Sequence, residues 1–231
     1  MNTISIHQSQ YIPWTPYLKK IYQSDIFVVM DNVQFQRRGV QNRNSISDGI
    51  NEIRLTIPVS KKQSEAINEK LITQDWGKKH FKSLQSCYGK SLNWSKYNAR
   101  LEQLYSRNYK TLHDLNMTFL NFIFQAINLP KPEVIELSSL NLTSNKSQLI
   151  LDICKKMNAK KYLSGFGAKD YLELEEFSKE NIEVIYEQSK PAQYQPIDKP
   201  FIAGLSILDM LFHCPIKDVQ KYLLNTHMSI E

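Results

Sequence analysis

Two pairs of polar residues near the start of the chain are of types that bind small ligands and move protons. His7-Gln8 follows a short β-compatible segment, and Asp31-Asn32 follows an unbroken apolar run over residues 26–30. Histidine titrates near neutral pH, and a carboxylate can orient it. The pattern predicts an acid–base or phosphate-binding role for His7, and for Asp31 a role in orienting His7 or accepting from an amine. Strand capping is the structural alternative for both residues.

A second polar set lies close to these pairs in the sequence. Uncharged amides, which offer the donors and acceptors that sugar hydroxyls, bases and amide groups need, stand at Gln8, Gln41, Asn42 and Asn44. Arg43 has a planar guanidinium that suits a phosphate or a carboxylate, although a surface ion pair would also explain it. Tyr11 and Trp14 provide flat faces for a ligand ring, and core packing is the simpler explanation of Trp14 taken alone.

The elements that carry these residues form a predicted β-α-β unit. Residues 3–6 read as a strand, Thr15-Pro16 begins a helix, and residues 26–30 read as a strand buried on both faces. Parallel strands have their carboxyl ends at one edge of a sheet, where open α/β sheets bind ligands. We therefore expect His7, Asp31 and the polar loop around Arg43 to face a common hollow.

The remainder of the chain predicts an α/β protein with a mainly helical subdomain over residues 60–130. Beyond it, short apolar strands alternate with amphipathic helices up to residue 186, which favours a parallel or mixed sheet with helices on both faces. No glycine-rich linker divides the chain, so we expect one domain over residues 1–231.

Composition narrows the function classes. The charge of +6, from 29 Lys plus Arg against 23 Asp plus Glu, favours the approach of a phosphate-bearing ligand. The basic residues come in small sets such as Lys19-Lys20, and most of these sets are expected on solvated faces. The five histidines and three cysteines lack the spacing of a metal site, and no glycine-rich phosphate loop occurs. The absence of a long apolar run and of a signal-peptide pattern predicts a cytoplasmic protein without a membrane span.

The chain also resembles a known family at specific motifs. They are His7-Gln8, Tyr11, Pro13-Trp14, Asp25, Asp31, Gln41-Asn42-Arg43-Asn44, Tyr162-Leu163-Ser164-Gly165 and Leu205-Ser206-Ile207-Leu208-Asp209. These segments resemble the WbqC-like protein family, which is found in bacterial surface-polysaccharide gene clusters. The resemblance implies a part in making or decorating an O-antigen-type glycan. A weaker similarity, a first strand ending in histidine, links the fold to nucleotidyltransferases and amide-forming ligases.

The resemblance, together with the polar residues described above, implies a transferase that N-acylates or aminoacylates an amino sugar carried on a nucleotide. Lys146, at a helix start, and Ser164, at a strand end, are further expected binding residues. The sequence leaves the cofactor open, with an acyl donor and ATP as the alternatives, and an aminoacyl-tRNA is one donor that the charge permits. A non-catalytic module that binds a glycan or nucleotide sugar, and a nucleotidyltransferase, are the alternatives.

Overall fold

The computed structural model describes residues 2–62, 65–187, 190–194 and 200–225 of the chain. In chain order its strands and α-helices are β1 (Thr3–Gln8), α1 (Thr15–Tyr22), β2 (Ile26–Met30), β3 (Arg43–Ser47), β4 (Glu52–Thr56), α2 (Gly77–Tyr88), α3 (Trp94–Ser106), α4 (Leu112–Ile127), β5 (Glu133–Glu136), α5 (Lys146–Lys156), β6 (Lys161–Gly165), α6 (Leu174–Lys179), β7 (Glu183–Glu187), α7 (Ile207–His213) and α8 (Ile216–Leu224).

Five of these strands form a parallel sheet in the order β5-β2-β1-β6-β7. The chain builds outward from β1 through β2 to β5, then returns to the other side of β1 for β6 and β7. The direction of this progression reverses between β1 and β6, and such a topological switch point leaves a crevice at the carboxyl ends of the two strands. The predicted α/β class with a parallel sheet is confirmed.

The two faces of the sheet carry separate apolar clusters. Ile6 and Val28 pack with residues of α5 and α6 on one face, among them Ile153 and Phe177. Phe27 belongs to the larger cluster on the opposite face, together with residues of α1, α4, α7 and α8. Side chains alternate between faces along a strand, so a continuous apolar run such as β2 is what a strand covered on both sides requires. Helices on both faces are therefore also confirmed.

Helices α2, α3 and α4 follow an antiparallel hairpin of β3 and β4. Their buried residues, Leu84, Leu101 and Phe119 among them, join the same cluster as Phe27 of the sheet. The polar segment around Arg43, which we expected to be a loop, instead begins β3. The reason is visible in the hairpin, because Ile46 is fully buried while Arg43 pairs with Thr56 at the open end.

Candidate functional site

A crevice of about 280 Å³ opens at the switch point, between the carboxyl ends of β1 and β6. We name it the switch crevice and define it by His7, Gln8, Lys20, Tyr162, Gly165 and Tyr171, which line it. His7 and Gln8 are the last two residues of β1, and Gly165 is the last of β6. The predicted polar pair His7-Gln8 therefore does lie at the edge where open α/β sheets bind ligands.

Lys20 of α1 is a buried amine in this crevice that the sequence reasoning missed. Its side chain is almost without exposed surface, unlike the solvated faces expected for most of the basic sets. Its Nζ donates to the carbonyl oxygen of Ile6 at 3.2 Å. It also lies close to Gly165, since a Cβ added to that glycine would be 3.9 Å from Nζ. Burial lowers the pKa of Lys20 to about 7, against a smaller opposing effect of Glu187. The amine can therefore exchange a proton near neutral pH.

His7 lies beside this amine in an environment that keeps its ring neutral. Its Nδ1 lies 3.2 Å from the carbonyl oxygen of Gln8 and 3.4 Å from Nε2 of Gln10. The ring meets that of Tyr17 edge to face, with 5.1 Å between centroids. Burial, reinforced by the charge of Lys20, lowers the pKa of His7 to about 3. At neutral pH this imidazole can donate and accept hydrogen bonds, but it does not carry a charge.

Asp31 is held by partners other than His7. Its Oδ1 accepts from the main-chain N–H of Ser138 at 2.9 Å, and its Oδ2 accepts from Nδ2 of Asn68 at 2.8 Å. Candidate ligand atoms of Asp31, His113 and Glu136 all lie within 4.8 Å of one another. We name these three residues the Asp31 cluster. His113 comes from α4, so nothing near Asp31 in the sequence signals this neighbour.

Arg43 lines a second and larger cavity, of about 730 Å³. We name it the basic pocket and define it by Arg37, Asn42, Arg43, Lys61, Lys62 and Lys70. Nη2 of Arg43 donates to the carbonyl oxygen of Arg37 at 2.6 Å, while its buried Nε has no hydrogen-bond partner among the described residues. Lys70 is paired with Glu65 at 3.0 Å, and the exposed Lys62 lies 3.9 Å from the same carboxylate, which leaves Arg37, Arg43 and Lys61 in excess. The remaining cations give the pocket a positive character that suits a phosphate-bearing ligand.

One hydrogen bond connects the residues of the two cavities. Nε2 of Gln41 donates to Oε1 of Gln8 at 2.6 Å, and Oε1 of Gln41 accepts from the main-chain N–H of Gln36 at 2.7 Å. Gln8 lines the switch crevice, whereas Asn42 and Arg43, directly after Gln41, line the basic pocket. The single hollow expected for His7 and Arg43 is thus two cavities, and the two glutamine amides lie between them.

Two of the predicted amides support the backbone. Nδ2 of Asn42 donates to the carbonyl oxygen of Ile57 at 2.8 Å. Nδ2 of Asn44 donates to the carbonyl oxygen of Ile12 at 2.7 Å, and more weakly to that of Tyr11. Ile12 has a φ of 37°, a left-handed conformation that is strained for a β-branched residue. Asn44 therefore braces the turn between β1 and α1 that presents His7-Gln8.

The remaining predicted residues are dispersed. The ring of Tyr11 is fully buried, and its hydroxyl bonds to Nδ1 of His80 at 2.9 Å and to the hydroxyl of Tyr105 at 3.0 Å. Trp14 is 37% exposed at the start of α1. Lys146 is exposed at the start of α5.

Ser164 lies within β6, directly before the crevice residue Gly165. Its buried Oγ bonds to the hydroxyl of Tyr162 at 3.4 Å, and also contacts the carbonyl oxygen of Gly165. Tyr162 and Gly165 both line the switch crevice, so Ser164 contacts two of the residues that form it.

The parallel sheet and its switch point define a doubly wound α/β protein with a polar crevice at the carboxyl edge, where such folds bind ligands. The chain belongs to the WbqC-like protein family, whose model matches residues 8–221. It is similar to the uncharacterized protein Rv1507c of Mycobacterium tuberculosis, with 28% identity over 218 residues that cover 92% of this chain and 94% of the relative. Among the described residues, the helices are all too short or too polar to cross a bilayer.

Proposed function

We propose that this protein is a transferase of bacterial surface-polysaccharide biosynthesis that N-acylates or aminoacylates an amino sugar carried on a nucleotide. The observation that supports it is the pair of cavities on either side of the Gln8–Gln41 hydrogen bond, one holding a buried amine and the other several cations. A transfer reaction needs two ligands held side by side, and binding them together removes much of the entropic barrier.

The sizes and charges of the cavities suggest which ligand part each one takes. The basic pocket, at about 730 Å³, is large enough for a nucleotide and offers Arg43, Lys61 and Lys62 to its phosphates. The switch crevice, at about 280 Å³, suits the smaller acyl group and the sugar amine that attacks it. The sugar ring would lie near Gln8, which lines the switch crevice and whose amide matches a sugar hydroxyl.

Lys20 and His7 have distinct roles in the proposed reaction. The sugar amine attacks the acyl carbonyl carbon, a C–N bond forms, and the bond from that carbon to the leaving group breaks. Nζ of Lys20 accepts the proton that the amine loses, for which a base poised near the working pH is well suited. The neutral imidazole of His7 directs its Nδ1 proton to the carbonyl oxygen of Gln8, so its Nε2 is an acceptor that can orient the attacking amine.

The test is to incubate the purified protein with nucleotide-linked amino sugars and a panel of activated acyl donors. The donors are acyl thioesters, aminoacyl-tRNA, and free acids with ATP, and product masses are read by mass spectrometry. We expect a mass gain equal to one acyl group with one donor class, and its loss in Lys20→Met. Lys19→Met is the matched control, because Lys19 lies over the ring of Tyr222 instead, with Nζ 5.5 Å from the ring centroid. Unchanged sugar masses across the panel would refute the proposal, and saturable binding without product would indicate a binding module.

A nucleotidyltransferase is the second candidate, and the strand order favours it. A ligand site at the switch point of a parallel sheet is the usual location of a nucleotide in such folds. Release of pyrophosphate from a nucleoside triphosphate in the presence of a sugar phosphate, with no acyl transfer, would favour this reaction over N-acylation.

A further inference from the structure

The Asp31 cluster lies at the same edge of the sheet as the two cavities but is not used by the proposed reaction. Glu136 is the last residue of β5 and pairs in register with Val29, two residues before Asp31. Side chains two apart on a strand point to the same face, so both carboxylates meet His113 from the first turn of α4. We propose that Asp31, His113 and Glu136 bind a divalent transition-metal ion such as Zn²⁺ or Mn²⁺.

The distance between two of the candidate ligand atoms fits a single ion, and the third lies close by. Nε2 of His113 lies 3.1 Å from Oε1 of Glu136, and atoms of all three residues lie within 4.8 Å of one another. Ligands bound at about 2.0 to 2.2 Å with bond angles between a right angle and a tetrahedral angle are separated by about 3 to 3.5 Å. The His113–Glu136 separation therefore already matches two neighbouring ligands of one metal.

The groups around the cluster orient its donors as outer-shell residues of metal sites do. Nδ1 of His113 lies 3.3 Å from Oγ of Ser9, which in turn accepts from Nδ2 of Asn116 at 3.3 Å. When Nδ1 donates its proton to Ser9, Nε2 is left with a lone pair directed toward the carboxylate of Glu136. Two acceptors this close repel each other unless a cation or a proton lies between them. Each oxygen of Asp31 is likewise held by one donor and keeps a further lone pair.

The buried amide of Asn116 belongs to the same hydrogen-bond network, because its Nδ2 bonds to Ser9. Asn116 is 1% exposed, yet its Oδ1 has no hydrogen-bond partner among the described residues. A buried amide oxygen normally has a partner, and an ordered water molecule on the metal would supply one. The side chain of Glu136 is 50% exposed, so the ion would have coordination positions open to water on that side.

The donor set also indicates the class of ion. Two carboxylates supply two negative charges, and the imidazole nitrogen favours a transition metal over Mg²⁺, which prefers oxygen ligands and its own water shell. The proposal concerns binding alone and does not depend on the transferase function.

The test is calorimetric titration of chelator-treated protein with Zn²⁺, Mn²⁺ and Mg²⁺ separately, with metal content checked by mass spectrometry after dialysis. We expect one Zn²⁺ or Mn²⁺ per chain, weaker binding of Mg²⁺, and a loss of affinity of at least about tenfold in Glu136→Gln and in His113→Gln, since even outer-shell partners contribute that much. Glu133→Gln is the matched control on the exposed start of the same strand and should leave affinity unchanged.

The half-exposed Glu136 makes the test independent of folding, because its substitution removes a ligand without opening the core. Far-ultraviolet circular dichroism of each variant identifies any that fails to fold. Absence of saturable Zn²⁺ and Mn²⁺ binding by the wild type, equal affinity in Glu136→Gln, or an equal loss in Glu133→Gln would each overturn the proposal. The first result would leave Ser9, His113 and Glu136 as a hydrogen-bonded relay with a proton in place of the ion.

Discussion

Replacing Lys20 by methionine should stabilise the protein in mild acid and destabilise it in alkali. The folded-state pKa of Lys20 is lowered from its ordinary value of 10.5 to about 7, mainly by burial. At about 1.4 kcal/mol per pH unit, this interval corresponds to about 5 kcal/mol of cost for the buried ammonium. The amine lies fully within the protein, so solvent screening reduces this figure little.

The sign follows from the protons bound by each state. Between pH 7 and 10.5 the unfolded chain keeps the proton of Lys20 while the folded chain has released it. The free energy of unfolding contributed by this residue therefore rises with pH across that window and is constant outside it. Below this pH window the wild type buries a charged amine at a cost of about 5 kcal/mol. The Lys20→Met variant avoids that cost but loses the hydrogen bond to Ile6, which contributes about 1 kcal/mol, and should therefore be more stable by about 4 kcal/mol. Above the window only the lost bond remains, and methionine should be less stable by about 1 kcal/mol.

The assay is urea denaturation of the wild type and Lys20→Met at a series of pH values from about pH 6 to about pH 10, followed by circular dichroism. Groups that titrate in both proteins cancel in the difference between their free energies of unfolding. That difference should change sign within the window, with a slope near 1.4 kcal/mol per pH unit at its steepest. A difference that stays constant over the series would refute the buried, proton-exchanging amine and with it the proposed base.

Three further outcomes are expected. His7→Gln should become more stable relative to the wild type, by up to about 5 kcal/mol in urea denaturation, as pH falls from 6.5 toward 3. The reason is that burial lowers the pKa of His7 to about 3, so that only the unfolded imidazole binds a proton in that range. Gly77→Ala should lower the free energy of unfolding, measured by thermal unfolding, by about 3 kcal/mol, because the new Cβ would lie 1.8 Å from a main-chain oxygen of α3. Gly167→Ala is the control and should cost far less in the same assay, because its Cβ would have nothing within 4 Å. Arg43→Ala should raise KM for the nucleotide sugar at least about tenfold, or about 1.4 kcal/mol, in the mass-spectrometric assay, while the exposed Arg38→Ala should not.

The sheet was predictable because its signals are local. The apolar run of β2, the proline at the start of α1 and the polar residues after β1 each act within a few positions. Parallel pairing then fixes which edge His7 and Gln8 occupy. The same reasoning could not separate the His7 and Arg43 cavities, because the contact that divides them joins Gln8 to Gln41 across 33 positions.

The chemistry that the sequence did not reveal depends on burial and on distant partners. Lys20 follows Tyr17 by three positions on a helix, which is the spacing of a shared face, but a lysine is rarely fully buried and the spacing alone does not reveal its burial. Asp31 meets His113 only because α4 packs against the carboxyl edge of β2. Metal ligands gathered from such separate elements have no recognisable spacing, unlike those of short zinc motifs. Tyr11 was predicted to bind a ligand ring, but it lies in the core, where its hydroxyl bonds to His80 and Tyr105.

The brace between Asn44 and the carbonyl oxygen of Ile12 has a consequence for how the protein folds. A left-handed isoleucine costs about 1 to 2 kcal/mol, so the opening turn has little reason to adopt that shape alone. Its support comes from β3, which must already be paired with β4 before the amide is in position. A fragment that ends before residue 43 would keep the residues of β1, α1 and β2 but not the geometry of the turn. The switch crevice and the hairpin should consequently acquire protection from hydrogen exchange together, as one cooperative unit.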